Sequence, residues 1–294
     1  MSDIVIVGAK RTAIGSFLGQ FNGVATPVLG SAAITGALEH AGVAADQVDE
    51  VIMGCVLPAG LGQAPARQAS LGANIPTSAG CTTINKVCGS GMKAIMLAHD
   101  IIKAGSANVV VAGGMESMTN APHLLNGSRN GIRYGSAEFI DHMAYDGLTD
   151  PYQGKAMGVF GDTMCAEYKF DREALDAYST ESVKLAQAAQ TSGAFKDEIV
   201  PLTVTVGKEQ VLISNDEQPP KAKLDKIASL KPAFREGGTV TAANSSSISD
   251  GAAALVLMRQ SQAQKLGLKP LAVIHGHAAF ADTPGLFPVA PIGA

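Results

Sequence analysis

The sequence has no tryptophan and few aromatic or charged residues. Aromatic side chains make up 5% of the 294 residues and charged side chains 16%, whereas hydrophobic residues make up 46%. Disordered chains combine low hydrophobicity with high net charge, so this composition excludes disorder. The hydrophobic content is sufficient to bury a large core, and the length is typical of one to three domains.

The sequence also lacks an excess of basic charge, a closely spaced cysteine pair and a long apolar run. Lys and Arg number 22 against 26 Asp and Glu, so the net charge of −4 offers no overall attraction for nucleic acid. The four cysteines form no CxxC pair and the start does not resemble a signal peptide, so we expect reduced thiols, no metal site and a cytoplasmic location. Apolar runs such as residues 252–258 are far shorter than the ~20 residues of a membrane-spanning helix, so no membrane partner is expected.

In the first 118 residues, short β-branched runs alternate with segments of helical periodicity. Strands are predicted at residues 4–7, 51–55, 82–87 and 109–112, and helices at residues 26–40, 64–72 and 89–104. The 33 glycines, about 11% of the chain against ~7% in average proteins, suit close packing of helices on a sheet. This pattern predicts an α/β fold with a parallel sheet covered on both faces.

The composition changes at about residue 119. From there to residue 249 the chain is rich in glycine, asparagine, serine and arginine. An apolar strand-like run returns at residues 250–258, and a further strand is predicted at residues 271–277. We therefore expect an inserted, loop-rich domain at residues 119–249.

Cys88 is the strongest candidate for a catalytic residue. The extended run 82–87 delivers it to the start of the predicted helix 89–104, where unpaired N–H groups and the helix dipole favour a thiolate. Gly89 and Gly91 leave the backbone bare, so an acyl group can approach and backbone donors can face a developing oxyanion. A free cysteine is also a common small buried residue, so the spacing alone leaves a structural role open.

Two other motifs match this glycine-rich segment incompletely. Residues 89–94 fit the G-x-G-x-x-A dinucleotide fingerprint, but the next predicted strand ends in the glycines 113–114 rather than in the acidic residue that binds a ribose. The hydrolase motif G-x-S-x-G also fails, because Cys88 and Met92 stand two residues from Ser90 on either side. Neither a dinucleotide site nor a serine-hydrolase site is therefore predicted.

Five sequence blocks together resemble the thiolase family, closest to its acetyl-CoA acetyltransferase branch. They follow the family's order and spacing and cover essentially the whole chain. The blocks are RTAIG at residues 11–15, NKVCGSG at 85–91, GGMESM at 113–118, FKDEIVP at 195–201 and GTVTAAN at 238–244.

The resemblance implies a layered α/β/α fold of two similar halves, assembled as a homodimer or homotetramer. In this scheme residues 1–118 and 250–271 form the first half, and the inserted loop domain at residues 119–249 holds coenzyme A (CoA). It also implies a ping-pong reaction in which Cys88 takes an acyl group from acyl-CoA. The acyl-enzyme then passes the group to CoA in thiolysis, or to the enolate of acetyl-CoA in a Claisen condensation. CoA and acyl-CoA are substrates in this scheme, and no permanently bound cofactor is expected.

The resemblance further assigns residues to the CoA site. Leu148 and Met157 wall the tunnel of the pantetheine arm, and Ser246 hydrogen-bonds that arm. Ala242, in the GTVTAAN block, belongs to the same site. Lys226, together with two neighbouring lysines, attracts the CoA phosphates, although an exposed lysine run is also typical of a solvated face.

Two blocks of the family have no counterpart in this sequence. The family's catalytic histidine lies in a Gly-His-Pro block, and the second cysteine, which moves the α-proton, lies in a Cys-x-Gly-Gly-Gly block. None of the six histidines is followed by proline, so all six are predicted to be structural, as are Cys55, Cys81, Cys165 and Glu116. The sequence thus resembles the first three quarters of a thiolase, with residues 272–294 as the start of a second half that is largely absent.

Three functional hypotheses follow from the sequence. The first is an acyltransferase of the thiolase type that acts through Cys88, with little turnover by the 294-residue chain alone. The second is a non-catalytic fragment that binds CoA or pairs with a full-length subunit. The third is a condensing enzyme of the ketoacyl-synthase type, which shares the fold and the nucleophilic cysteine but not the GGMES block.

Overall fold

A seven-stranded sheet forms the centre of the protein, of which the computed structural model describes residues 3–294. The strands are β1 (Ile4–Arg11), β2 (Gly15–Ser16), β3 (Glu50–Gly54), β4 (Gly80–Ile84), β5 (Val109–Ser117), β6 (His123–Leu124), β7 (Ile140–Asp141), β8 (Leu202–Val206), β9 (Glu209–Ile213), β10 (Ser249–Arg259) and β11 (Ala272–Ile274). The large sheet has the order β11-β1-β10-β5-β3-β4, with β2 beside the start of β10. Strands β6 with β7 and β8 with β9 form two small separate sheets.

Helices follow the strands as the alternating pattern predicts. They are α1 (Thr26–Ala41), α2 (Pro65–Gly72), α3 (Ser90–Ala104), α4 (Met157–Glu167), α5 (Arg172–Ser192), α6 (Gln218–Lys221), α7 (Gln260–Lys265) and α8 (Ala290–Gly293). Gly42 and Gly105 end α1 and α3 in the left-handed conformation that glycine adopts without strain. No helix in residues 3–294 is both long and apolar enough to cross a membrane.

The sheet is mixed, so the prediction of a parallel sheet is wrong for part of it. Strands β3, β4 and β5 pair in parallel, as expected from the alternation of strands and helices. Strand β10, however, lies between β1 and β5 and is antiparallel to both, and β11 is antiparallel to β1. The five strands of the first 117 residues therefore share one direction, and the sheet becomes mixed only where the chain returns after residue 248.

The two faces of the sheet carry separate hydrophobic cores. Val51 and Met53 pack on the side of α1 and α2, whereas Ile52 packs on the side of α3, as the alternation of side chains along a strand requires. Helix α1 lies very close to β1, because a Cβ at Gly8 would stand only 2.7 Å from the Cβ of Ala41. The prediction that helices cover both faces is confirmed, and the abundance of glycine and alanine follows from such close contacts.

Residues 119–248 add no strand to the large sheet within the described part of the chain. They are tied to it by Arg11, whose Nε donates to Glu198 at 2.7 Å and whose other two nitrogens donate to both carboxylate oxygens of Asp216 at 2.7 and 2.9 Å. The amide of Val200 also donates to the carbonyl of Arg11 at 2.8 Å. The RTAIG block at residues 11–15 and the FKDEIVP block at residues 195–201 therefore meet at the end of β1.

The domain boundaries at residues 118, 249 and 271 remain a prediction, and residue 1 lies outside the described residues.

The chain after β11 differs from the predicted strand at residues 271–277. Strand β11 stops at Ile274, because it is an edge strand that pairs with only three residues of β1. His275 and His277 therefore lie beyond the sheet, not along one face of a strand as predicted. A 3₁₀ turn at Pro284–Val289 then carries Phe287 to an edge-to-face contact with Phe160 of α4, with ring centres 6.2 Å apart.

Candidate active site

A cavity of about 450 Å³ opens at the edge of the large sheet where β1, β3 and β5 end and β10 begins. Open α/β sheets bind their ligands outside the carboxyl ends of the parallel strands, which is the edge seen here. Cys88, Met115 and Leu148 are among the side chains that line the cavity, which we call the Cys88 cavity. Its walls are largely apolar side chains and bare glycine backbone, which suit an acyl chain.

Cys88 occupies a tight turn between β4 and α3. The turn is held by Ser90, which is 4% exposed and whose hydroxyl accepts from the amide of Lys86 at 2.8 Å and donates to the carbonyl of Val87 at 2.6 Å. Val87 has a φ of 47°, which is unfavourable for a β-branched residue. The thiol of Cys88 is exposed beside the N-terminus of α3, as the sequence predicts.

Two of the backbone amides beside Cys88 are already used within the turn. The amide of Gly89 donates to the carbonyl of Lys86 at 3.1 Å, and the amide of Ser90 donates to the carbonyl of Val87 at 3.1 Å. The expectation that the amides around Ser90 face an oxyanion is therefore wrong for these two. Gly91 follows in the first turn of α3. The residue four positions before it lies outside the helix, so the N–H of Gly91 has no such acceptor within α3.

Glu116 braces the wall of the cavity. Its carboxylate accepts from the amides of Val56 at 2.8 Å and Leu57 at 3.1 Å, which is the structural hydrogen-bonding role that the sequence predicts. Burial raises the pKa of Glu116, although these two hydrogen bonds oppose the shift. The neighbouring Cys55 is buried against this carboxylate, and burial together with the Glu116 charge raises its thiol pKa to about 12.

His142 holds the loop that carries Leu148 into the cavity. It is buried, its Nδ1 lies 2.5 Å from the carboxylate of Asp146, and its Nε2 accepts from the amide of Ala59 at 3.4 Å. The loop then places Leu148 at the cavity, and the carbonyl of Leu148 accepts from the amide of Met157 at 3.0 Å. His142 thus positions two of the residues assigned to the CoA tunnel.

Comparison with known proteins identifies the family. The family model described as thiolase, N-terminal domain, matches residues 4–261. An acetyl-CoA acetyltransferase of Cupriavidus necator is 48% identical over 296 residues, which cover all of this chain and 75% of that protein. An acetyl-CoA acetyltransferase of Arabidopsis thaliana is 49% identical over 292 residues, covering 98% of this chain and 70% of that protein. The chain belongs to the thiolase family.

A solved structure supports the same assignment. The Acat5 thiolase of Ascaris suum, crystallised in complex with coenzyme A, superposes with a TM-score of 0.92 at 39% identity, covering 98% of this chain and 74% of that one. The thiolase resemblance inferred from the five blocks is confirmed, as is its α/β fold. The present chain is an acyltransferase of the thiolase type that spans about three quarters of the length of these relatives.

The structure of this thiolase brings together only part of the predicted site. Cys88 and Leu148 line one cavity, and Met157 joins them through the backbone of Leu148. Ala242 and Ser246 do not line this cavity but lie exposed in the loop before β10, and Lys226 is exposed on the turn Leu224–Ser229, 3.6 Å from Asp225. The hydroxyl of Ser246 has no hydrogen-bond partner within residues 3–294.

Asp250 is a polar residue of the cavity that sequence reasoning missed. It is 1% exposed, and its Oδ1 accepts from the amide of Thr119 at 3.0 Å and from the hydroxyl of Ser117 at 3.3 Å. Its Oδ2 is buried with no partner among the described residues. The available signal was a lone aspartate at the start of an otherwise apolar strand, where a charge is costly unless hydrogen-bonded.

Proposed function

We propose that this thiolase transfers acyl groups to and from CoA through a thioester on Cys88. The observation that carries the proposal is the exposed thiol of Cys88 at the opening of α3, inside an apolar cavity large enough for a short acyl chain. The thiolate attacks the carbonyl of an acyl-CoA, the thioester bond to CoA breaks, and CoA leaves. The acyl group then passes to a second CoA or to the enolate of acetyl-CoA.

Acetyl-CoA and acetoacetyl-CoA are the substrates that we propose for the two directions. Relatives at 47–49% identity are acetyl-CoA acetyltransferases, and the Ascaris thiolase was crystallised with coenzyme A. In this proposal Leu148 and Met157 flank the pantetheine arm, the free hydroxyl of Ser246 and the backbone at Ala242 contact it, and Lys226 meets a phosphate. No permanently bound cofactor is required, because the acyl group is carried by the protein itself.

We also propose that the chain assembles as a homodimer or homotetramer. Strand β4 is at the edge of the large sheet, so one side of its backbone has no partner strand among the described residues. Such an edge is a ready place for pairing with another copy. Light scattering coupled to gel filtration measures the mass directly, and a monomer at micromolar concentration would contradict this part of the proposal.

Acetylation of Cys88 tests the catalytic proposal. Incubation of the purified chain with acetyl-CoA should add one acetyl group to the peptide that contains Cys88, and added CoA should remove it. Cys88→Ser should abolish the thioester, whereas Cys165→Ser, in a half-buried thiol away from the cavity, should leave it unchanged. CoA binding without any acetylation of Cys88 would favour a non-catalytic CoA-binding chain instead.

A further inference from the structure

Three metal-ligating side chains meet on the outer side of α3, although they come from distant parts of the sequence. His99 and Asp100 are neighbours on α3, and His277 follows β11, 177 residues after Asp100. The Nδ1 of His99 and the Nε2 of His277 lie 3.0 and 2.9 Å from the same oxygen of Asp100. The two imidazole rings stand edge to face, with centres 5.1 Å apart.

The spacing of these atoms fits the coordination sphere of a small transition-metal ion. All three ligand atoms lie within 4.8 Å of one another. Zinc binds imidazole nitrogen and carboxylate oxygen at about 2.0–2.2 Å, so the ligands of a tetrahedral site stand about 3.3–3.5 Å apart. The two measured separations need to open by only about 0.4 Å, which is within the freedom of surface side chains.

We propose that His99, Asp100 and His277 form a binding site for a divalent transition-metal ion such as Zn²⁺. In the metal-free cluster these two nitrogens donate to the Asp100 carboxylate, so binding requires each neutral imidazole to take the tautomer with its proton on the other ring nitrogen, which offers a lone pair to the ion. No proton is released when the imidazoles are already neutral. Two imidazoles and one carboxylate leave the fourth position for water, and this nitrogen-rich set favours zinc over Mg²⁺, which prefers oxygen ligands.

The electrostatic and solvent environment supports the site. Asp100 supplies the carboxylate oxygen and the negative charge that a divalent ion requires of its ligands, and a nitrogen of each histidine already faces that oxygen at 3.0 and 2.9 Å. The side chains of His99, His277 and Asp100 are 15%, 25% and 54% exposed, which leaves an entry path for the ion. A bound ion would fix the chain after β11 to α3.

This metal site is separate from the catalytic chemistry. None of its three residues lines the Cys88 cavity. The ion is therefore expected to stabilise the fold without entering acyl transfer, and the proposal does not depend on the function of Cys88. A purely hydrogen-bonded cluster would hold the same segment without a metal, and the experiment has to separate these two cases.

The test measures melting of the tag-free 294-residue chain after chelation and again with Zn²⁺ alone. Ligands that bind only the folded state raise Tm, and an excess of 100-fold over Kd should raise it by about 5 °C in a protein of this size. His277→Gln should remove the shift while keeping a hydrogen-bond donor for Asp100, and His99→Gln should do the same. His275→Gln, beyond the cluster, should retain it, and Mg²⁺ should produce no shift.

Cobalt distinguishes this site from the exposed thiol of Cys88. Co²⁺ bound by two imidazoles and a carboxylate gives visible d–d bands without the near-ultraviolet thiolate charge-transfer band that a cysteine ligand adds. The bands should persist in Cys88→Ser and disappear in His277→Gln. Three outcomes would each overturn the proposal. The first two concern Tm: zinc fails to raise the Tm of the parent chain, or it still raises the Tm of His277→Gln and His99→Gln. The third is a cobalt thiolate band that vanishes in Cys88→Ser.

Discussion

Cys88 is more exposed than the other three thiols, and the pKa of one of these, Cys55, is strongly raised. A thiol reacts with iodoacetamide as the thiolate, and a pKa of about 12 leaves about one Cys55 in 10⁴ ionised at pH 8. Cys88 is exposed, whereas Cys55 is buried and Cys81 and Cys165 are half-buried. We expect limited iodoacetamide labelling, followed by peptide mapping, to modify Cys88 first. Earlier alkylation of any of the other three in folded protein would contradict the assignment.

Two neighbouring serines allow the proposed contact of Ser246 with CoA to be compared with a structural hydrogen bond. The exposed hydroxyl of Ser246 has no partner within residues 3–294, whereas the hydroxyl of Ser245 donates to the carbonyl of Thr241 at 2.7 Å. Ser246→Ala should weaken CoA binding by ~1 kcal/mol in calorimetry and leave Tm almost unchanged. Ser245→Ala should lower Tm and leave CoA affinity close to the parent value. The reverse pattern would make Ser246 structural.

Individual residues also show where sequence reasoning reaches its limit. The position of Cys88 before a helix could be predicted from the sequence, because glycines and a helical pattern are local features. The left-handed φ of Val87 could not be predicted, because β-branched residues avoid it and hydrogen bonds to Ser90 and to the side chain of Asn85 hold it there. The cluster of Asp100 with His277 was equally hidden, because it depends on where β11 ends rather than on spacing along the chain.

At the scale of elements, periodicity located the three helices of the first 118 residues and most strands of the large sheet, but not the pairing of the strands. Each of α1, α2 and α3 falls within a residue or two of its predicted range, since its apolar spacing is local. The antiparallel insertion of β10 between β1 and β5 depends on contacts between residues more than 100 positions apart, so no local pattern encodes it. Strand β5 also runs five residues past its predicted end at residue 112, because Gly113 and Gly114 continue the pairing with β10.

Strand β3 packs so closely against α3 that a single methyl group added at Gly54 should disturb the contact. A Cβ at Gly54 would stand 2.6 Å from the Cβ of Ser90, so Gly54→Ala has to displace the turn that carries Cys88. We expect slower acetylation of Cys88 and a stability loss of about 1–3 kcal/mol in urea unfolding. Gly91→Ala is the control for stability, because its Cβ would meet nothing closer than 3.7 Å. Equal stability losses in the two variants would contradict this account.

Glu217 links the segment around β2 to α6 in a pH-dependent way. Burial acts to raise its pKa, but hydrogen bonds from Lys221 and from the amides of Gln20 and Ser16 outweigh that effect and lower it. A carboxyl with a lowered folded-state pKa stabilises the fold above its unfolded value, here 4.5, and loses that contribution as the pH falls through the folded pKa.

We therefore expect Glu217→Gln to melt below the parent chain at pH 7 and the difference in Tm to shrink as the pH falls below 4.5. Scanning fluorimetry between pH 7 and pH 3 measures both chains side by side. A constant difference in Tm over this range, or one that grows in acid, would show that the ionised carboxylate does not supply the stabilisation.

The whole molecule contains the proposed nucleophile, Cys88, and an apolar cavity, but the cavity lacks a residue suited to move the α-proton. Within the described residues no histidine lines it, and Cys88 is its single cysteine. Of its two carboxylates, Glu116 accepts from backbone amides through both oxygens, and Asp250 accepts from an amide through Oδ1 while its Oδ2 is shielded from solvent. A thiol can be acylated slowly without a base, whereas condensation and thiolysis also require proton transfer, which general acid–base catalysis accelerates by ~10²–10⁴-fold.

We therefore expect the 294-residue chain to cleave acetoacetyl-CoA at least about 100-fold more slowly than the full-length Cupriavidus relative, while still forming some acetyl-Cys88. The matched control is the segment of that relative that aligns with this chain, which should be equally slow because it lacks the remaining quarter of that protein. Acetylation without turnover would show that the nucleophile is sound and that proton transfer limits the reaction. Turnover within tenfold of the full-length relative would contradict the prediction, and would mean that Glu116 or Asp250 exchanges its backbone partners for the substrate proton during the reaction.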